Sequence, residues 1–166
     1  ACIISDRIFS QISGDRSQDA TFSNGYTYSG HPVSSAAALK NIEIIENENL
    51  LEHVREISPY FQQRLRELRK LPLVGDTRGV GLVGCVEGRI VEPENPDALE
   101  MDIAMGSRID KHCQELGLIV RPLWNMCVFS PPLIITPKQI DEMFNILEQG
   151  ILLATEELRQ EGLWKG

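Results

Sequence analysis

The sequence predicts an α+β fold: a loop-rich N-terminal piece, a long helix, then a small sheet-and-helix domain. Three observations carry this. Apolar residues recur at Leu50, Val54, Ile57, Phe61, Leu65 and Leu68, spaced by four, three, four, four and three, which is one helical stripe. After Leu71 the candidate elements run strand, helix, two strands, helix. Thr136-Pro137-Lys138-Gln139 is a capping box with proline at the first helical position, a signature of a helix start.

The elements follow in order. Cys2-Ile3-Ile4 reads as a short strand, followed by a short helix capped by Ser5 or Asp6. Residues 13–32 are rich in Gly, Ser, Asp, Asn and Thr and read as loop. Pro32 suits a first helical position, where its missing N–H has no partner to lose, and Ala36-Ala37-Ala38-Leu39 favours helix. One helix is expected from there to Leu71. Pro59 falls inside it, and the unbroken stripe favours a kink over a restart with Ser58 as cap. Residues 79–87 read as a strand, 92–97 as a loop and 99–116 as an amphipathic helix ended by Gly117. Leu118–Arg121 and Cys127–Ser130 are two short strand candidates. The last helix carries Ile140, Met143, Leu147, Ile151 and Leu158 on one face.

The chain has 166 residues, 42% of them hydrophobic and 24% charged, enough for a real core. No apolar run nears the roughly 18 residues of a membrane span, so no membrane role is expected. The net charge of −8 opposes nucleic-acid binding. The densest basic stretch, Arg64, Arg66, Arg69 and Lys70, reads as a solvated helix face. Cys2, Cys85, Cys113 and Cys127 form no C-x-x-C pair, have no histidine at ligand spacing, and read as small buried hydrophobes. No metal site is expected. This cysteine usage suits a reducing compartment, and cytoplasmic is the default placement. The chain opens at Ala1 inside an apolar segment, without an initiator Met, as though a preceding part had been cut away.

Four features bear on chemistry. Gly79-Val80-Gly81-Leu82-Val83-Gly84 matches G-x-G-x-x-G, but a dinucleotide site needs a helix to open there, and Gly88, Pro93 and Pro96 exclude one. Glycines in a strand that another backbone approaches closely explain it better. Phe22 to Pro32 is a Gly-punctuated, hydroxyl-bearing loop running into a helix N-terminus, which suits an anion as well as it suits an ordinary capped turn. Arg121 sits at the end of an apolar strand candidate, where Leu118 and Val120 face one way and Ile119 and Arg121 the other. Its fork of donors suits a carboxylate, although a snorkelling surface arginine is the simpler reading. His53 and His112 read as solvated, and His31 stands alone.

Several segments together resemble the class III aminotransferases of pyridoxal phosphate fold type I. They are Gly25-Tyr26-Thr27-Tyr28-Ser29-Gly30-His31-Pro32-Val33 with its helical continuation to Glu46, Leu73–Leu82, Gly117-Leu118-Ile119-Val120-Arg121-Pro122, and Ser130–Thr136. They come in the family's order and cover nearly the whole chain, with the amine:pyruvate ω-transaminases most alike. The resemblance implies an α/β family fold. Residues 1–31 would be a remnant of the large cofactor-binding domain, 32–71 a connecting helix, and 72–166 the small C-terminal α+β domain.

The resemblance also implies roles. Thr27 and the Tyr26 backbone N–H would bind the phosphate of pyridoxal 5′-phosphate across a homodimer interface, and Arg121 would bind the substrate carboxylate. The Schiff-base lysine would lie upstream, since Lys40, Lys70, Lys111, Lys138 and Lys165 match nothing catalytic. The chain alone would then be inactive. Asn24 stands where the family commonly has His. The implied reaction moves an amino group from an amine or amino acid donor to a keto acid, pyruvate first. A glutamate-1-semialdehyde-type aminomutase of the same class, or a non-catalytic self-associating domain, are the alternatives.

Overall fold

The computed structural model describes residues 3–13, 25–89 and 105–164. The chain divides into two compact units, Ala1–Ile44 and Ile45–Gly166.

In the first unit, Ile3 and Ile4 form no strand; Ile3 is 95% exposed and pairs with nothing among the described residues. Cys2 lies outside the described residues. Helix α1 (Asp6–Ile12) begins where expected, but only the Ser5 carbonyl serves its first turn, accepting from the Ile8 and Phe9 amides at 3.0 and 2.9 Å. Of the predicted loop, residues 14–24 are outside the described residues and 26–31 form two overlapping turns. Helix α2 (Pro32–Asn47) starts at the predicted proline. Val33, Ala36, Ala37, Ala38, Leu39 and Ile42 fall all round this helix instead of along one stripe. No described side chain of the first unit is buried.

The second unit is built differently. The single kinked helix expected over 32–71 is two helices. The chain turns at Glu48 and Asn49, with Asn49 in the left-handed region at φ 51°, and α3 (Leu50–Glu67) begins afresh. Asn47 and Asn49 explain the break, because asparagine side chains compete with helical backbone bonds and tolerate positive φ. The stripe begins at Leu50, where α3 does. Pro59 neither ends nor restarts α3. It lies on the exposed side, so the Arg55 carbonyl it leaves unbonded faces water. A 3₁₀ turn, Leu68–Lys70, closes the helix.

The strand expected over 79–87 is a hairpin. Strands β1 (Val74–Val80) and β2 (Val83–Gly88) pair antiparallel, Val80 opposite Val83, around Gly81 and Leu82. Gly81, at φ 58° in the first loop position, supplies what a type II′ turn requires. A Cβ on Gly79 would lie 2.3 Å from the Val83 carbonyl oxygen, the close backbone approach read from the glycine pattern. Helix α4 (Met105–Glu115) ends before Gly117, at φ 96°, as predicted; residues 99–104 of the expected helix lie outside the described residues.

Strand β3 (Arg121–Leu123) starts at Arg121 instead of ending there, and β4 is Met126–Phe129. Pro122 suggested a stop, yet β3 is an edge strand, where a missing N–H costs no ladder bond. The sheet order is β1-β2-β4-β3, all antiparallel. Helix α5 (Pro137–Gln160) opens with the predicted capping box: the Gln139 amide donates to Thr136 Oγ1 at 3.3 Å, and the Thr136 amide donates to Gln139 Oε1 at 3.0 Å.

One sheet face packs on α3, α4 and α5. Val86, Cys127 and Phe129 share a core with Phe61, Ile109, Leu147 and Ile151. The rings of Phe61, Phe129 and Phe144 meet pairwise at 5.2–6.1 Å between centroids. Helices α4 and α5 touch at Gly150, where a Cβ would sit 2.6 Å from Cys113 Sγ. Cys113 and Cys127 are buried as expected, whereas Cys85 is half-buried on the other sheet face.

Candidate active site

The first candidate element is the loop before α2. Tyr26 to Ser29 form a turn closed by a reciprocal pair. The Ser29 amide donates to the Tyr26 carbonyl at 2.9 Å, and the Tyr26 amide donates to Ser29 Oγ at 3.0 Å. The His31 amide donates to the Tyr28 carbonyl at 3.1 Å, with Gly30 at φ 73° between them. His31 then caps α2. Its Nδ1 accepts from the Ser34 amide at 3.3 Å, its carbonyl accepts from the Ser35 amide and hydroxyl, both at 3.0 Å, and its ring meets Tyr28 edge-on at 6.0 Å.

Thr27 is exposed, and its hydroxyl has no hydrogen-bond partner among the described residues. This donor set suits a phosphate: an uncommitted hydroxyl on a short turn, and an amide held on an oxygen that an anion can replace or share. Ser29 is the partner that the sequence reading missed. Its signal was the alternation of hydroxyls, Thr27 and Ser29, within one predicted turn.

The second element is Arg121. It leads β3 on the outer face of the sheet, directly opposite Val128 of β4. Along this row follow Cys85 and then Arg78. The two arginines differ in their partners. Arg78 is held by Glu87 and lies 3.5 Å from Asp76. The Glu87 hydrogen bond is the main cause that raises the Arg78 pKa above the usual guanidinium value, against burial that lowers it. Arg121 is exposed and has no ion-pair or hydrogen-bond partner among the described residues.

The expected alternation before Arg121 is present: Val120 is 5% exposed and Ile119 84%. A mostly apolar hollow of about 450 Å³ opens beside Arg121, lined by Ile119, Val128, Ser130, Pro131 and Pro132 among others. An unpaired guanidinium at the edge of an apolar hollow is arranged for a carboxylate on a carbon chain.

Other expected positions read differently. His53 and His112 are half-buried and partnered instead of fully solvated. His53 Nε2 lies 3.0 Å from the Ile135 carbonyl, and His112 Nε2 lies 2.9 Å from Glu157. Both sit where α3 and α4 meet apolar neighbours, so each imidazole takes a polar partner. The basic stretch is exposed at Arg66, Arg69 and Lys70, as expected, but two of its arginines are tied to neighbours. Arg64 donates to Asn145 at 2.9 Å, and Arg69 donates to Thr77 and Asp76, which covers the edge strand β1. Among the described residues no His, Cys, Asp and Glu cluster could hold a metal, and no helix is long and apolar enough to cross a membrane.

A family model, aminotransferase class-III, matches residues 2–151. The chain belongs to the class III aminotransferases. Its relatives include a putrescine–pyruvate aminotransferase of Pseudomonas aeruginosa, 42% identical over 130 residues, which cover 78% of this chain and 28% of that one. An aminotransferase of Sinorhizobium fredii named y4uB, itself uncharacterized, is 35% identical over 165 residues, covering 98% and 35%. Among solved structures, a PLP-bound aminotransferase mutant from Vibrio fluvialis superposes with a TM-score of 0.72 at 36% identity, covering 85% of this chain and 31% of that one. The chain thus spans about a third of the length of these class III aminotransferases. The mixed helix-and-sheet architecture is a portion of their fold.

Proposed function

We propose that this chain is the C-terminal part of a pyridoxal-phosphate-dependent aminotransferase that moves an amino group from an amine or amino acid to a keto acid, with pyruvate as the first acceptor. Residues 1–31 would belong to the large domain, 32–71 would connect, and 72–166 would form the small domain. The observation that carries the reading is Arg121: a guanidinium without a counter-ion among the described residues, beside an apolar hollow, at the position that resembles the family's carboxylate-binding arginine.

The residues take these roles. Thr27 donates its hydroxyl to the cofactor phosphate, and the Tyr26 amide supports it. Bound pyridoxal phosphate supplies an electron-accepting ring that stabilises negative charge at the substrate's amine-bearing carbon. Arg121 pairs with the substrate carboxylate and so orients the reacting carbon. No acid among the described residues holds the arginine, which leaves it free to turn away when the substrate is an apolar amine. The catalytic lysine belongs to the part that precedes this chain, so the 166 residues alone do not transaminate. Homodimeric assembly, with the Thr27 loop serving the neighbouring subunit, belongs to the same reading. So does a cytoplasmic location, which the free thiols of Cys85, Cys113 and Cys127 favour.

The test is Arg121→Met in the intact enzyme. Loss of a charge-assisted pair costs about 1.5–3 kcal/mol, so KM for pyruvate should rise about 10- to 100-fold. KM for an amine donor lacking a carboxylate should stay unchanged. An unchanged KM for pyruvate would contradict the role given to Arg121.

A further inference from the structure

We propose that Ser29 is a further phosphate-binding residue: its hydroxyl, held in place by the Tyr26 amide, donates to the cofactor phosphate alongside Thr27. The inference rests on the proposed role of this loop and goes one residue beyond it.

A serine hydroxyl has one proton to give and two lone pairs. Ser29 Oγ spends a lone pair on the Tyr26 amide at 3.0 Å, while its proton reaches no acceptor among the described residues. Three hydroxyls within or beside helices show the contrasting case. Ser10 donates to the Arg7 carbonyl, Ser35 to the His31 carbonyl and Thr155 to the Ile151 carbonyl. Those protons are spent inside helices, whereas that of Ser29 is uncommitted in an exposed turn, two residues from the equally uncommitted Thr27.

The turn holds this arrangement. The Ser29 amide is tied back to the Tyr26 carbonyl at 2.9 Å, and Gly30 at φ 73° leads the chain on toward α2 without a side chain at that bend. Accepting from an amide polarises the hydroxyl, which makes its proton a better donor to an anion. A phosphate offers several acceptor oxygens, so it can take the protons of Thr27 and Ser29 together. The Tyr26 amide, shared between Ser29 Oγ and the phosphate, supports both.

The test compares affinities of the intact apoenzyme for pyridoxal phosphate and for pyridoxal, which lacks the phosphate, measured by equilibrium titration. The ratio of the two isolates the phosphate contacts. Ser29→Ala should lower that ratio about five- to tenfold, the size of one lost hydrogen bond, with pyridoxal binding unchanged. Ser29→Thr, which keeps the hydroxyl, should preserve the ratio. Thr27→Val should lower it as well. If Thr27→Val lowers the ratio and Ser29→Ala does not, the Ser29 assignment fails alone. If neither variant changes it, the loop's role fails with it. Equal weakening of both ligands by Ser29→Ala would make Ser29 only a prop for the loop and overturn the proposal.

Discussion

Phe61, Phe144, Leu147 and Ile151 of the second unit are at most 1% exposed, while in the first unit Leu39 is 69% exposed and Ile42 is 52%. Both units spend similar residue types, and only one of them buries them. The second unit sets three helices on one face of an antiparallel sheet and closes a core by itself. The first has a helix whose apolar residues point all round it, and a helix of that kind gains stability only when other surfaces cover it. The difference teaches where the two proposed contacts get their support. Arg121 stands on a self-supporting sheet. The Tyr26–Ser29 turn is held by its own hydrogen bonds and by the cap of α2.

A substitution costs most at the centre of the second unit. Phe144→Ala removes a ring that packs on both Phe61 and Phe129, and should cost about 3–5 kcal/mol in urea unfolding. Alkaline pH should act next. Burial pushes the Cys113 thiol up to about 12, so the folded state keeps a proton that the unfolded chain releases near 9. The native state then binds more protons than the unfolded one between these values, and stability should fall as pH rises from about 9 to 12. Constant stability over that window would contradict the burial of this thiol. Thr136→Ala should cost about 1 kcal/mol, because the α5 capping box loses one of its two bonds. Leu39→Ala, by contrast, should change the stability of this chain by no more than about 0.5 kcal/mol. A loss near that of Phe144→Ala would mean that Leu39 is covered after all.

Much of the second unit was legible because its signals are local and redundant. The stripe from Leu50 to Leu68, the Thr136–Gln139 box and Gly117 each name an element through its own chemistry. The hairpin at Gly81 was missed because a glycine that turns a chain and a glycine that thins a strand look alike in sequence. The position of β3 was missed because Pro122 excludes a central strand but not an edge strand, and edge position depends on the sheet order. The break at Asn49 was hidden by apolar residues on either side of it.

At the site, Arg121 was legible as a cation on an apolar strand, but its lack of a counter-ion among the described residues is a tertiary fact. Arg78, in the same cross-strand row, looks no different in sequence and is held by Glu87 and Asp76. Thr27 and Tyr26 were found through the resemblance to the class III aminotransferases, not through spacing. Ser29 needed the geometry of the turn.

The central claim is that the second unit carries its own stability and the first does not. Native-state hydrogen exchange on the 166-residue chain tests it directly. Core amides of β2, β4 and α5 should exchange only through global unfolding, while those of residues 33–44 should exchange many times faster. Protection of the amides of residues 33–44 equal to that of α5 would contradict the claim.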